Sequence, residues 1–403
     1  MCIRDRSARG AFEKRLLPLF ITIFMFSLGV GIAAPIIPLL TQSLGASYTE
    51  VGLVGTSYSI IFIMFAALSG KLSDRLGRRA LILVSAVLNA LAATLYLVAR
   101  NVNDIILIRT LEGLAWAAFW PSVEALSTEI ASASVSGRAM GLSSASYGTG
   151  FAFGSLLGGS IAATTGYRNT FYFYFLPSMI AALTISIWFK DVRIVNISEG
   201  DQRVTPQSNE LKVSLWRSRP FLLSNVIAAS YTFVLGTLLT LFSVYAKGLG
   251  VEVFWIGVLF TLFWVGRIVS SMSAGRISDR VGRRSILIPA LIGCAIASFL
   301  AAISVSIELL SISMVIMGIS IGAVFPVAVA LISDNVHTRQ RGVAMGIFET
   351  SCGIGLMMAA TAGGIVADQF NPRYPYVLCA LISIASVIAL WVALRHAEVH
   401  SKK

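Results

Sequence analysis

Charge is what this chain has least of. Only 12% of its 403 residues are Asp, Glu, Lys or Arg, against about 25% in an ordinary soluble domain. That scarcity excludes a soluble enzyme and a disordered chain. Histidine is also rare, and His337, His396 and His400 all fall in loop or tail segments. No apolar run therefore holds a histidine, which argues against a nucleophile–base or metal constellation inside a membrane. The four cysteines, Cys2, Cys294, Cys352 and Cys379, show no metal spacing. Three lie in apolar runs and read as buried reduced thiols, so neither a disulfide scaffold nor a metal site is expected. Asn and Gln are nearly missing from the apolar runs, where only Asn89 and Asn225 occur.

What is present is length in apolar runs. The chain is 56% hydrophobic, with a mean hydropathy of +0.82. A bilayer core about 30 Å thick takes roughly 20 apolar residues per helical crossing. Outer-membrane barrels alternate apolar with polar residues, and these runs do not. Reading between charges predicts twelve helices over 16–40, 48–69, 80–99, 104–129, 139–164, 170–189, 220–246, 252–273, 285–305, 308–333, 342–367 and 374–394. The expected fold class is an all-α membrane protein. The first run is too long for a cleavable signal and lacks a small-residue cleavage site, so it is expected to remain as the first span. With a cytosolic N-terminus, 25 Lys/Arg fall on the cytosolic side and four on the other, namely Arg100, Arg168, Lys247 and Arg373. This is a strong positive-inside split, and it explains the net charge of +12 without nucleic acid. A multi-pass protein of the bacterial inner membrane, with both termini cytosolic, is expected.

The hydrophilic stretch 190–219 divides the chain into an N-terminal bundle (16–189) and a C-terminal bundle (220–394), with short tails at 1–15 and 395–403. The halves match without gaps at an offset of 205 residues. Gly31, Gly52, Gly113, Pro121 and Gly159 pair with Gly236, Gly257, Gly318, Pro326 and Gly364. Chance identities in such a composition would be Leu, Ala and Ile, whereas these are Gly and Pro, with Asp and Arg below. Six-plus-six parallel repeats describe one transporter architecture, in which similar bundles rock about a shared site.

The most specific match is a loop found twice. After the second span the chain reads GKLSDRLGRRALIL from Gly70, and after the eighth GRISDRVGRRSILI from Gly275. Both read as short cytosolic turns whose Gly allows close helix approach. Their acid can accept from a helix N-terminus or pair with Arg, and the Arg cluster suits anionic headgroups. The pattern resembles the signature loop of the major facilitator superfamily, and the resemblance covers essentially the whole chain. It implies two pseudo-symmetric six-helix bundles and a cytosolic latch that favours an outward-facing state. Carried over residue by residue, the latch is Gly70, Asp74, Arg75, Gly77 and Arg78, with Gly275, Asp279, Arg280, Gly282 and Arg283. Glu129 and Asp334, themselves repeat partners, resemble the family's acids opposite Arg78 and Arg283. Two further motifs depart from the family's. Arg109-Thr-Leu-Glu112-Gly113 carries Glu where the family has Gln. Gly141, Gly150, Gly154, Gly158 and Gly159 have antiporter-signature spacing, but Ser155 replaces its proline. Such spacing equally makes a close-packing helix face.

Ionisable residues inside spans are costly and usually functional. Arg109 and Glu112 stand at i and i+3, where they can pair. Arg267 and Glu349 lie at matching depths and are candidate partners across helices. Glu124 sits near the cytosolic end of the fourth span. Glu112 or Glu349 is the expected proton-binding carboxylate, with static salt bridges as the alternative. By resemblance, spans 1, 4, 7 and 10 line a cavity, which proposes Trp116, Trp120, Asn225, Tyr231, Met317 and Phe325 as its wall. Few amides and many aromatics suit a lipophilic or amphipathic solute better than a sugar. No GxxxxGK[ST] motif occurs, so ATP is not the direct energy source. The resulting expectation is a monomeric, non-enzymatic transporter that needs no cofactor. Its partners are protons, a small-molecule substrate and the lipid bilayer. It would export its solute by proton antiport, and the alternative is proton-coupled uptake of a small organic anion held by Arg109.

Overall fold

The structure, a computed structural model, describes residues 3–130, 136–189, 218–336 and 340–401. The side chains of 3–15, Ala67, Gly70, Lys71, Asp74, Thr128, 136–138, Arg219 and 393–401 are not among those described. The expected linker at 190–219 and the side chains of the tails therefore lie almost wholly outside the described residues, as do Asp74 and the surroundings of Gly70.

Thirteen helices account for the described chain. They are α1 (Ile3–Ala33), α2 (Ile36–Ser43), α3 (Tyr48–Leu76), α4 (Arg78–Val98), α5 (Val102–Ile130), α6 (Ser136–Thr165) and α7 (Thr170–Trp188) in the first half. The second half holds α8 (Arg219–Gly248), α9 (Val253–Val281), α10 (Arg283–Ile303), α11 (Ile307–Asn335), α12 (Arg341–Gln369) and α13 (Tyr374–Ser401). The expected first span is two helices, not one. The break falls at Ala34–Pro35, because proline has no N–H to continue the ladder. Ten of the twelve crossings are apolar enough to be recognised as spans by hydropathy alone. The other two are α5, which carries Arg109 and Glu112, and α6, rich in Gly and Ser. Large apolar side chains stand exposed around the bundle, among them Leu107 at 65% and Val269 at 64%. In water such a surface would aggregate, whereas lipid tails cover it. Inside, serines bond back to the fourth preceding carbonyl, as Ser85 does to Leu81 O at 2.7 Å and Ser298 to Cys294 O at 2.8 Å. No polar hydroxyl is then left facing hydrocarbon at those points.

The packing obeys the repeat. In the first half α1 packs on α6 and α7, α5 on α3 and α4, and α4 on α7. In the second, α8 packs on α12 and α13, α11 on α9 and α10, and α10 on α13. The two largest contacts between the halves, α6 with α9 and α3 with α12, are repeat equivalents too, and α2 and α3 also touch α8.

The duplicated signature is less of a loop than its residues suggest. Gly70–Leu76 continues α3 and Gly275–Val281 continues α9. Only Gly77 and Gly282 turn the chain, both at φ +90°, a conformation that glycine adopts without strain.

Candidate functional site

The joint between the halves is tight at one end and open at the other. At the end remote from the signature segments, glycines let backbones touch. A Cβ on Gly159 would lie 2.8 Å from Gly257 Cα, and one on Gly364 would lie 3.2 Å from Gly52 Cα. These two contacts are images of each other under the repeat, so four glycines form a closed collar. Polar bonds reinforce it. Asp368 of α12 accepts from Tyr48 N at 2.9 Å and Thr49 N at 2.6 Å, capping α3 in the other half. Lys247 donates to the Tyr167 hydroxyl, and Thr56 bonds Thr361 at 2.7 Å. At the signature end a Cβ on Gly141, Gly275 or Gly346 would meet nothing within 4 Å. The antiporter-like stripe therefore splits by position. Gly150, Gly154 and Gly158 seat α6 on α1, Gly159 seats it on α9, and Gly141 seats it on nothing.

At the open end each half carries the same charged cluster. Arg78 Nε lies 3.0 Å from Glu129 Oε1 and its Nη1 donates to Ser73 Oγ at 3.0 Å. Arg283 Nε lies 3.0 Å from Asp334 Oδ2, its Nη1 donates to Ser278 Oγ at 2.7 Å, and it also pairs with Asp279. Arg75 and Arg280 are exposed. Each of these ion pairs stays within its own half.

Inside the first half lies a polar cage. Glu112, 5% exposed, receives Arg109 Nη1 at 2.6 Å, Tyr96 OH at 2.9 Å and Tyr174 OH at 2.9 Å. The guanidinium also covers the Tyr58 ring at 4.5 Å. The Arg109–Glu112 pair thus ties α3, α4, α5 and α7 together. Sequence reading found the Arg–Glu pair but missed the three tyrosines. Their signal was available: tyrosine belongs at membrane interfaces, so a mid-span tyrosine needs a partner for its hydroxyl.

Arg267 and Glu349 do not pair. Among the described residues Glu349 makes no ion pair. The Arg267 guanidinium instead lies over the rings of Trp264 at 4.8 Å and Tyr147 at 5.9 Å. Matching depth was not enough, because rotation about the helix axis sets which neighbour a side chain meets. Glu349 is half-buried near the joint; it feels the charge of Glu124 of the first half, and Tyr231 feels its own.

The proposed wall residues divide. Trp116 and Trp120 stack at 6.2 Å and remain partly accessible. They continue through Tyr147, 5.2 Å from Trp120, to Trp264 of the other half, 5.4 Å from Tyr147. Phe325 is half-buried against Tyr231 at 6.4 Å. Asn225 is half-buried and accepts from Ser351 Oγ at 2.9 Å. Tyr231 is 3% exposed, with its hydroxyl on Cys352 Sγ at 3.4 Å. Met317 lines nothing: at 1% exposure it is packed in the core of the second half. Tyr147 and Trp264, which carry the aromatic stack across the joint, were not anticipated, since spans 5 and 8 were not expected to contribute; Tyr147 is partly accessible and Trp264 is buried against it.

The sequence profile of the Major Facilitator Superfamily matches residues 19–260 and 246–403. An uncharacterised MFS-type transporter of Methanocaldococcus jannaschii is 26% identical, over 93% of this chain and 97% of its own. Multidrug resistance protein 2 of Bacillus subtilis is 24% identical over 91% of each chain. Quinolone resistance protein NorA of Staphylococcus aureus is 24% identical over 58% of each. Among solved structures, the nucleoside transporter NupG superposes with a TM-score of 0.78 at 14% identity, over 94% of this chain and 99% of its own. A bacterial homolog of the human lysosomal transporter Spinster, in an inward-facing and unoccupied conformation, gives 0.75 at 14% identity, over 95% of each.

Proposed function

This chain belongs to the Major Facilitator Superfamily, and from that premise we propose that it exports a small lipophilic or amphipathic solute in exchange for protons, by rocker-switch alternating access. The observation that carries the reading is Glu349, a carboxylate without an ion-pair partner among the described residues, set between two halves sealed at one end only. The positive-inside split assigns the open, basic end to the cytosol, so the conformation is inward-facing with both termini cytosolic, in a plasma membrane. A monomer holds both halves of the site. With Glu112 already satisfied by an arginine and two tyrosines, the role of proton carrier falls to Glu349. Its neighbour Glu124 belongs to the opposite half, so one proton between them changes the repulsion across the joint. The Arg78–Glu129 and Arg283–Asp334 clusters stiffen the two cytosolic edges that must meet when the open end closes. The aromatic wall suits apolar solutes, and two relatives bear resistance names.

Proteoliposomes with an imposed pH gradient test this. A lipophilic compound should drain the gradient from the acidic side, and Glu349→Gln should abolish the effect. If no lipophilic compound moves protons, or Glu349→Gln matches the parent, proton-coupled export fails. Uptake of an organic anion is the second reading. The cage occupies Arg109, so in that reading the anion contact moves to Arg267. Proton movement in the same direction as the anion would select it.

A further inference from the structure

Seven buried side-chain N or O atoms have no hydrogen-bond partner among the described residues: Ser27 Oγ, Asn89 Nδ2, Arg109 Nε, Ser243 Oγ, Trp264 Nε1, Arg267 Nη1 and Tyr376 OH. Two of them are neighbours. Trp264 and Arg267 stand at i and i+3 on α9, one helical face, with the guanidinium 4.8 Å from the indole ring. Both groups only donate. Leaving such donors buried and unmet costs free energy at each, and more for a cation in a membrane interior. Arg109, whose Nε is likewise unmet, at least has its charge balanced by Glu112 through Nη1. Here Tyr147 bonds the Arg267 side chain, but among the described residues nothing accepts from its Nη1 or from Trp264 Nε1.

We propose that Trp264 and Arg267 form an anion subsite that takes the carboxylate of a substrate with an aromatic body; this rests on the transporter reading and names the substrate class for it. The wall around the two donors supplies the rest of the recognition. Phe151 stacks on Trp264 at 4.4 Å and Tyr147 meets it edge-on at 5.4 Å, while Trp116 and Trp120 extend the same surface. An aromatic ring slides into such a stack and brings its carboxylate to the donors. Phe151 and Tyr147 belong to the first half and Trp264 to the second. The stack that covers the donors therefore parts when the halves shift, which ties occupancy to the transport cycle. A monoanion fits better than a dianion, because one guanidinium is available and Glu349 also acts on the Tyr231 beside it. Arg109 is excluded from the role, since its fork already engages Glu112 and covers Tyr58.

The test is equilibrium binding to the full chain in lipid nanodiscs, using naphthalene-2-carboxylate, its carboxamide and naphthylmethylammonium. In the parent the carboxylate should bind about tenfold more tightly than the carboxamide, the size of one charge-assisted hydrogen bond. In Arg267→Met the two affinities should converge. Trp264→Phe keeps the ring and removes the donor, and should narrow the preference about threefold. Should Arg267→Met fail to fold, Arg267→Lys retains the charge without the planar fork and should narrow the preference as well. Equal affinities in the parent, tighter binding of the ammonium, or a preference that survives at Arg267 variants would overturn the proposal. Export of neutral and cationic compounds driven by the pH gradient would still stand in that event. Selective carboxylate binding without gradient-driven export would remove the export reading and leave the subsite.

Discussion

The two halves share one fold and fill it differently. In the first half, Tyr58, Tyr96, Arg109, Glu112 and Tyr174 make a charged, hydrogen-bonded cage. The positions 205 residues later are Phe263, Ala301, Met314, Met317 and Cys379, none more than 1% exposed. The same helices are thus held once by a polar network and once by apolar packing. Backbone geometry accepts either filling so long as the volume is occupied and each buried donor is met. The second half keeps its free charges, Arg267 and Glu349, nearer the joint between the halves. The first half pairs its Arg109 and Glu112 with each other, while Arg267 and Glu349 of the second make no ion pair among the described residues.

The sharpest way to break this contrast is an isosteric swap in each filling. Glu112→Gln leaves the buried Arg109 uncompensated and should destabilise the protein by about 3–5 kcal/mol. Met317→Leu at the equivalent position should cost less than about 1.5 kcal/mol. Thermal unfolding in detergent compares them, and equal losses would mean that the cage is not a structural unit. The collar comes next. Gly159→Leu and Gly364→Leu are repeat equivalents, and each should cost about 1–3 kcal/mol of overpacking in the closed collar. A Val253→Cys reporter would show both as faster labelling by an impermeant maleimide. A response from only one would break the symmetry of the seal. Tyr174→Phe removes one hydrogen bond to a carboxylate and should cost about 1.5–3 kcal/mol. Cys379→Ala at the matching site has no charge to strand, so its melting shift should be the smaller of the two. Smallest are the two edge clusters. Arg78→Ala and Arg283→Ala break partly exposed pairs and should each cost about 0.2–1 kcal/mol. Their common geometry predicts equal shifts in melting, and a difference would show that one edge carries more than its twin.

Much of this was readable in the residues. The offset of 205 was legible because glycines are retained where helices touch, and Gly52, Gly159, Gly257 and Gly364 proved to be such points. The depth of Arg267 and Glu349 could be counted along their helices, yet their pairing could not, since depth leaves the azimuth open. Met317 was taken for cavity wall because its span lines one by resemblance, and its own face of α11 turns into the core instead. The signature segments were read as turns from their charges and glycines. In the structure Gly70 and Gly275 sit within helices, and only Gly77 and Gly282 break them.

Sequence alone determined the crossings, the two halves and their equivalence, because a bilayer requires about 20 apolar residues per span and a duplicated chain keeps its small residues in register. It also identified which side chains would be expensive to bury. Only the tertiary structure decided which of those would be satisfied. Two tyrosines and an arginine from three different helices converge on Glu112. Among the described residues no ion pair reaches Glu349, and no acceptor reaches Trp264 Nε1 or Arg267 Nη1. Such convergence depends on how each helix is rotated against its neighbours. That rotation is set by the packing of all of them together, and no single span encodes it.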